Sequence, residues 1–134
     1  MQIYKNANKL IHPELSYKIN GILFAVHNEL GRFCNEKQYC DLIENYLKKL
    51  SIKYEREKIL PISFGNEFKG RNKIDFLIDG KIILEVKSKR FLAKEDYYQV
   101  KRYLTSLDKK LAILVNFRSR YIKPKRILNS LSNA

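Results

Sequence analysis

Residues 72 to 88 read NKIDFLIDGKIILEVKS, and this stretch decides how the rest of the chain is interpreted. Its two apolar segments flank an Asp-Gly dipeptide at residues 79–80, which strongly favours a β-hairpin. Glu85 and Lys87 are two residues apart in the second segment, so they project from the same face of a strand. Charged side chains in so apolar a segment are costly unless they are paired or used. A strand with one solvated face would alternate in the same way, so this pattern alone leaves both interpretations open.

Asp75, on the first strand of the hairpin, favours a chemical role for these charges. A two-residue loop would place Ile74 opposite Glu85 and leave Asp75 on the other face. A three-residue loop over 79–81 would place Asp75 opposite Glu85. We therefore expect that loop, or a bulge that brings both side chains to the same face of the sheet. Two carboxylates that converge from adjacent strands suit a hard divalent cation such as Mg²⁺.

Two amphipathic helices are predicted before the hairpin. The first covers about residues 14–30, because apolar residues recur there at helical spacing and Gly31 suits a C-terminal cap. The second begins after Asn35, a good N-cap, and its apolar stripe runs to Leu50. Glu36 lies in the first turn of this helix, where the helix dipole favours a carboxylate whether or not the residue has a function.

The other elements complete an α/β fold. A strand-helix-strand order after the hairpin implies a parallel crossover, so we predict a central mixed β-sheet flanked by helices. We expect a single domain over 1–134, with a loosely ordered arm at 1–12 and a basic tail at 118–134. The remaining predictions are extended chain at 52–54 and 58–64, a turn at Gly65-Asn66, a helix over 94–107 and a strand over 111–117.

Charge indicates the class of partner. The chain has 27 Lys and Arg against 14 Asp and Glu, a net charge of +13. Residues 1–80 hold 13 basic and 10 acidic side chains, whereas residues 81–134 hold 14 basic and 4 acidic ones. So uneven a charge is typical of a polyanionic partner, most often nucleic acid, although a solubility device would look similar. We see no clear basic amphipathic helix for a membrane surface and no apolar run near the ~20 residues of a membrane span.

The tail supplies the predicted phosphate contacts. Its first nine residues, 118–126, include five basic residues and no acidic one: Arg118, Arg120, Lys123, Lys125 and Arg126. Tyr98 and Tyr121 lie beside basic residues and are candidates for base stacking. The two cysteines make neither a disulfide framework nor a zinc motif, which favours a reducing, cytoplasmic setting.

Asp75, followed by Glu85-Val86-Lys87, resembles the Asp…(Asp/Glu)-X-Lys signature of the PD-(D/E)XK nuclease superfamily. Residues 15–128 as a whole resemble the small bacterial and archaeal GxxExxY family of that superfamily.

The motif that names this family is only partly present. Glu36 and Tyr39 match it, but Phe33 stands at the position of its first glycine. The proline of the superfamily signature is also absent, since Ile74 precedes Asp75.

The resemblance implies a restriction-endonuclease-like core and a role for each matched residue. Asp75 and Glu85 would bind Mg²⁺ or Mn²⁺, with Glu36 binding directly or through water. Lys87 would position the nucleophile and stabilise developing charge, and Gln99 would orient the site or contact the phosphate backbone. The implied reaction is metal-dependent phosphodiester hydrolysis, with DNA favoured over RNA.

The alternative is a non-cleaving nucleic-acid-binding module with the same fold. The acidic residues favour the nuclease, because a binding-only protein has no physical need for acids that face a polyanion. The oligomeric state stays open, with a homodimer as one option.

Overall fold

The computed structural model describes residues 10–61 and 72–129 and shows an α/β fold. The predicted arm at 1–12 lies mostly outside these residues, and the predicted Gly65-Asn66 turn lies wholly outside them. The described elements, in chain order, are α1 (Pro13–Leu30), α2 (Glu36–Lys49), β1 (Tyr54–Ile59), β2 (Lys73–Ile78), β3 (Ile82–Lys87), α3 (Lys94–Leu107), β4 (Leu111–Asn116) and β5 (Lys125–Leu128).

The five described strands form one sheet in the order β1-β2-β3-β4-β5. Strands β1, β2 and β3 pair antiparallel, β3 and β4 pair parallel, and β5 returns antiparallel to β4. Helix α3 connects the two parallel strands, as a parallel crossover requires. The predicted mixed sheet is therefore confirmed.

Helices cover both faces of this sheet. Helices α1 and α2 pack on one face, against side chains that include Phe76, Leu84 and Val115. Helix α3 packs on the other face, against side chains that include Ile83 and Leu114. Burial on both faces explains why the first five residues of β4 are apolar and why all six of its residues, including Asn116 at its end, are buried. None of the helices in the described part of the chain is long and apolar enough to cross a membrane.

The local signals at the helix ends act as predicted. The Asn35 side chain accepts a hydrogen bond from the Gln38 N–H at 2.8 Å, and the Gln38 side chain accepts one from the Asn35 N–H at 2.9 Å. This capping box satisfies two backbone donors at the start of α2. Gly31 ends α1 with a φ of 74°, which a residue with a side chain adopts at a cost.

Two segments differ from the sequence predictions. Extended chain was expected at 52–54 and 58–64, but a single strand, β1, runs across the charged residues between them, and residues 62–64 lie outside the described part of the chain. This is possible because β1 lies at one edge of the sheet that the described strands form, and its alternate side chains point into water. The predicted tail at 118–134 contains β5, whose Ile127 is buried against the α3 side of the sheet. Four residues with one buried side chain carry too weak a pattern for a strand to be predicted.

Candidate active site

The hairpin of β2 and β3 places Asp75 opposite Glu85. Ile78 pairs with Ile82 and Phe76 with Leu84, so the connection is the three-residue loop over 79–81. The sequence predicted either this loop or a bulge with the same effect, and the structure has the loop. Two consecutive residues in it have positive φ, 52° and 64°, the conformation in which Asp-Gly is favoured.

The ladder of β2 is interrupted at Asp75 on both sides. On the β1 side, Arg56 pairs with Phe76 and Lys58 with Ile74, but the pair between them is missing. Glu57 stands at that point with a φ of 54°. Ile74 packs on the α3 side of the sheet whereas Phe76 packs on the other side, although strict alternation would place them together. Strand β2 is thus irregular at Asp75, one of the two carboxylates of the candidate site.

The two carboxylates take over the backbone hydrogen bonds that the ladder lacks. The Asp75 N–H donates to Glu85 Oε1 at 2.9 Å, and the Val86 N–H donates to Asp75 Oδ2 at 2.7 Å. Each acid therefore holds the strand that carries the other. These bonds fix both carboxylates against rigid strand backbone, which is the pre-organisation that a metal or catalytic site needs.

The surroundings of Asp75 and Glu85 disfavour the ionised form of both carboxyls in the absence of a cation. Burial raises the pKa of the Glu85 carboxyl well above its ordinary value, and the nearby Asp75 raises it further. Burial also raises the pKa of Asp75, with Glu36 adding to the effect, against the Val86 N–H and the Lys87 ammonium. Burial and the Glu85 charge raise the pKa of Tyr103, on α3, to about 12. The buried Glu85 carboxylate and the partly buried Asp75 carboxylate repel each other, so they form a site that a cation would stabilise.

Lys87 ends β3 on the same side as Glu85 and is held from α3. Its Nζ donates to Gln99 Oε1 at 3.3 Å and lies 4.0 Å from Asp96 Oδ1. Only 18% of the Lys87 side chain is exposed, so its charge acts where water screens poorly. The structure thus brings together Asp75, Glu85, Lys87 and Gln99, all four of which sequence reasoning had named.

Two further residues organise this corner and were not assigned from the sequence. The Asp96 carboxylate accepts from the Ala93 N–H at 2.7 Å and lies 2.9 Å from Lys89 Nζ. The buried Asn116 amide accepts from the Lys89 N–H at 3.1 Å and donates to the Lys89 carbonyl at 2.7 Å. In the sequence, Asp96 has the position of an ordinary acidic residue in the first turn of a helix, and Asn116 that of a residue at the end of a strand. Only the tertiary contacts reveal that they hold the segment after Lys87.

Glu36 lies apart from the pair. It is exposed in the first turn of α2, near enough to raise the pKa of the Asp75 and Glu85 carboxyls. Among residues 10–61 and 72–129, no group of three or more His, Cys, Asp or Glu side chains could hold a metal ion. Two carboxylates still fit a hard divalent cation, because Mg²⁺ is commonly held by one or two carboxylates with water and substrate phosphate as its other ligands.

The five predicted phosphate-binding residues do not lie on one common surface. Arg120, Lys123 and Lys125 are exposed, and the two lysines line a groove of about 360 Å³. Arg118 is half-buried, with its guanidinium 5.6 Å from the centre of the Phe33 ring. Arg126 points to the other face of the sheet and donates to Ser16 Oγ and the Ile11 carbonyl, both at 2.9 Å.

Comparison with known proteins agrees with this geometry. The model of one protein family, described as the PD-(D/E)XK nuclease superfamily, matches residues 13–127. No curated protein and no solved structure gives a significant match. The matched range takes in every described helix and strand except the last residue of β5.

Proposed function

The chain belongs to the PD-(D/E)XK nuclease superfamily, and from this premise we propose that it is a Mg²⁺- or Mn²⁺-dependent nuclease that hydrolyses DNA. The superfamily suggests a metal-dependent nuclease and a nucleic-acid substrate. One observation carries the proposal for this chain. Asp75 and Glu85 lie opposite each other at an interruption of the ladder, bonded to each other's strands, with Lys87 on the same face as Glu85.

The proposed ligands are Asp75 and Glu85, with Glu36 contributing through water. When bound, a divalent cation would neutralise charge on the scissile phosphate and lower the pKa of an attacking water. Lys87 donates hydrogen bonds to the phosphate oxygens, on which negative charge grows in the transition state. Gln99 keeps the Lys87 ammonium in place through their 3.3 Å hydrogen bond.

We also assign the chain to the GxxExxY family within the superfamily, on Glu36 and Tyr39. The Tyr39 hydroxyl donates to the Gly31 carbonyl at 2.6 Å and accepts from the Cys34 N–H at 3.2 Å. The buried tyrosine thereby closes the loop that leads into Glu36, so it has a structural role even with Phe33 at the glycine position. Both cysteines are free thiols, which agrees with a reducing, cytoplasmic setting.

Cleavage assays test the proposed function directly. The purified chain is incubated with plasmid, linear and single-stranded DNA, and with RNA, in Mg²⁺, in Mn²⁺ or in EDTA. We expect cleavage of DNA that requires the metal and is abolished by Asp75→Asn and by Glu85→Gln, which keep the size of each side chain while removing its charge.

The matched control is the double variant Asp79→Asn, Asp108→Asn. It removes two carboxylates at exposed positions with a φ of 52°, a conformation that asparagine tolerates well. It should cleave like the wild type. If the wild type binds DNA but cleaves no substrate with either metal, the non-cleaving nucleic-acid-binding module becomes the better account.

A further inference from the structure

Three loops meet at one end of the sheet, beside the acidic pair. We call this region the loop end; it comprises residues 31–35 between α1 and α2, 88–93 between β3 and α3, and 117–124 between β4 and β5. Arg32 Nε donates to the Arg118 carbonyl at 2.9 Å, joining the first loop to the third. Ser88 Oγ donates to the Cys34 carbonyl at 2.8 Å, joining the second to the first. The Asn116 amide, at the end of β4, holds the second loop.

Each of these loops carries an arginine followed directly by an exposed aromatic residue. Phe33, Phe91 and Tyr121 are 75%, 74% and 72% exposed. In each case the guanidinium of the preceding arginine lies over the ring, 5.0, 5.7 and 5.4 Å from its centre. Among the described residues, the only other aromatic side chain exposed to this degree is Tyr17, on α1.

The charged residues within the three loops are all basic, and Glu36 borders the first loop. The three loops contain six basic residues and no acidic one. Two grooves run between them: one of about 520 Å³ is lined by Phe33, Arg118, Ser88 and Glu36, and one of about 360 Å³ by Phe91 and Tyr121 among others. Both grooves adjoin the proposed site, because Ser88 follows Lys87 directly and Asn116 pairs with Lys87 across β3 and β4.

From this arrangement we propose that the loop end binds unpaired nucleotides, with bases stacked on Phe33, Phe91 and Tyr121 and phosphates held by the neighbouring cations. Stacking on an aromatic side chain requires the face of a base, and in a duplex that face is covered by the next base pair. A substrate that contacts all three rings is therefore a single strand, or a duplex with a single-stranded end. The inference rests on the proposed function for its choice of nucleic acid, and it specifies the substrate class.

The test compares binding of three fluorescent ligands, measured by anisotropy in Ca²⁺ without turnover. They are a short oligothymidylate, an abasic strand of equal length, and a duplex of equal length. The abasic strand keeps the phosphates and lacks the bases, so it separates stacking from charge. The variant is the triple substitution Phe33→Ala, Phe91→Ala, Tyr121→Ala, and the control is Tyr17→Ala, which removes a ring that is 81% exposed elsewhere.

Loss of one stacked base typically weakens binding about fivefold or more, so the triple variant should bind oligothymidylate roughly 100-fold more weakly. Its affinity for the abasic strand and the duplex should stay close to that of the wild type, and Tyr17→Ala should behave as wild type with every ligand. Because all three rings are largely in solvent, the fold should persist, and an unchanged melting temperature verifies this. The single variants Phe33→Leu, Phe91→Leu and Tyr121→Leu keep an apolar side chain without a π face and should also weaken binding.

Equal losses of affinity for oligothymidylate and the abasic strand would overturn the inference, as would unchanged binding by the triple variant. A ring-dependent affinity for anionic lipid vesicles that exceeds the affinity for oligothymidylate would overturn it in favour of a membrane surface. A protein that binds unpaired strands through these rings but cleaves none would support the inference while removing the proposed function, so the two failures are distinguishable.

Discussion

The acidic pair and the loop end carry opposite charge in opposite surroundings. Asp75 and Glu85 are held by strand backbone inside the fold, whereas the rings and most of the cations of the loop end stand in solvent. Charges that are removed from water interact strongly, while exposed charges are weakened by water and salt. Changes near the acidic pair should therefore alter turnover and folding, and changes at the loop end should alter affinity in a salt-dependent way.

The largest effect is expected at Lys87. Lys87→Ala should lower the cleavage rate on the order of 10²–10³-fold, because it removes a positive charge where negative charge grows in the transition state. DNA binding in Ca²⁺ should change far less. Lys87→Arg keeps the charge but is bulkier and forked, so it should restore binding without restoring cleavage.

The control for Lys87 is Lys53→Ala, at an exposed position. It should leave both rate and affinity unchanged. The comparison between the two regions breaks down if Lys87→Ala weakens binding and cleavage by the same factor, since Lys87 would then act as an ordinary phosphate contact.

Metal should stabilise the fold through the acidic pair. At a Mg²⁺ or Mn²⁺ concentration 100 times Kd, mass action contributes about 2.7 kcal/mol, or roughly 8 °C in Tm for a chain of this size. The double variant Asp75→Asn, Glu85→Gln should show no such shift. The control Asp79→Asn, Asp108→Asn should keep it, and an equal shift in both double variants would mean that the metal binds elsewhere.

Asp96 sharpens the comparison, because it is a buried acid surrounded by cations. Burial acts to raise the pKa of its carboxyl, but the Ala93 N–H and the Lys89 ammonium outweigh that effect and lower it. A lowered folded-state pKa means that the carboxylate stabilises the fold at neutral pH and loses that contribution as the pH falls below about 4.

Asp96→Asn should therefore cost about 1 kcal/mol at neutral pH, the usual size of a helix-capping interaction. The difference from wild type, measured by urea unfolding, should shrink as the pH falls through the same range. Glu95→Gln changes the same charge at an exposed position in the same turn and should cost less. A pH-independent deficit in Asp96→Asn would show that packing, not charge, is responsible.

The smallest effect per residue is expected from the cations at the loop end and its edge. Neutralising Arg120, Lys123 and Lys125 together should reduce the salt slope of log K by roughly two to three, because each cation that binds a phosphate contributes about one unit to that slope. Arg126→Gln should leave the slope unchanged and lower Tm, because its guanidinium ties β5 to α1. A reduced salt slope in Arg126→Gln would mean that Arg126 does contact a phosphate of the nucleic acid.

Sequence reasoning located the helices well because their signals are local. Helix α3 begins and ends as expected, and Gly31 and Asn35 bound the first two helices as their conformations require. The hairpin loop could also be predicted. Side chains alternate between the two faces of a sheet, so few loop lengths bring Asp75 opposite Glu85. Strand β5 could not, because four residues with one buried side chain carry little periodic signal.

The sequence by itself determined the α/β order, the hairpin, the uneven charge and the place of the candidate acids and lysine on that hairpin, because each is a property of composition or of spacing along one segment. Only the tertiary structure decided which residues meet from distant segments. It joined Gln99 and Asp96 to Lys87, tied Arg126 to the start of α1, and gathered three arginine–aromatic pairs from loops that lie far apart in the chain. Such contacts depend on how helices and strands pack, and no local pattern in the sequence records them.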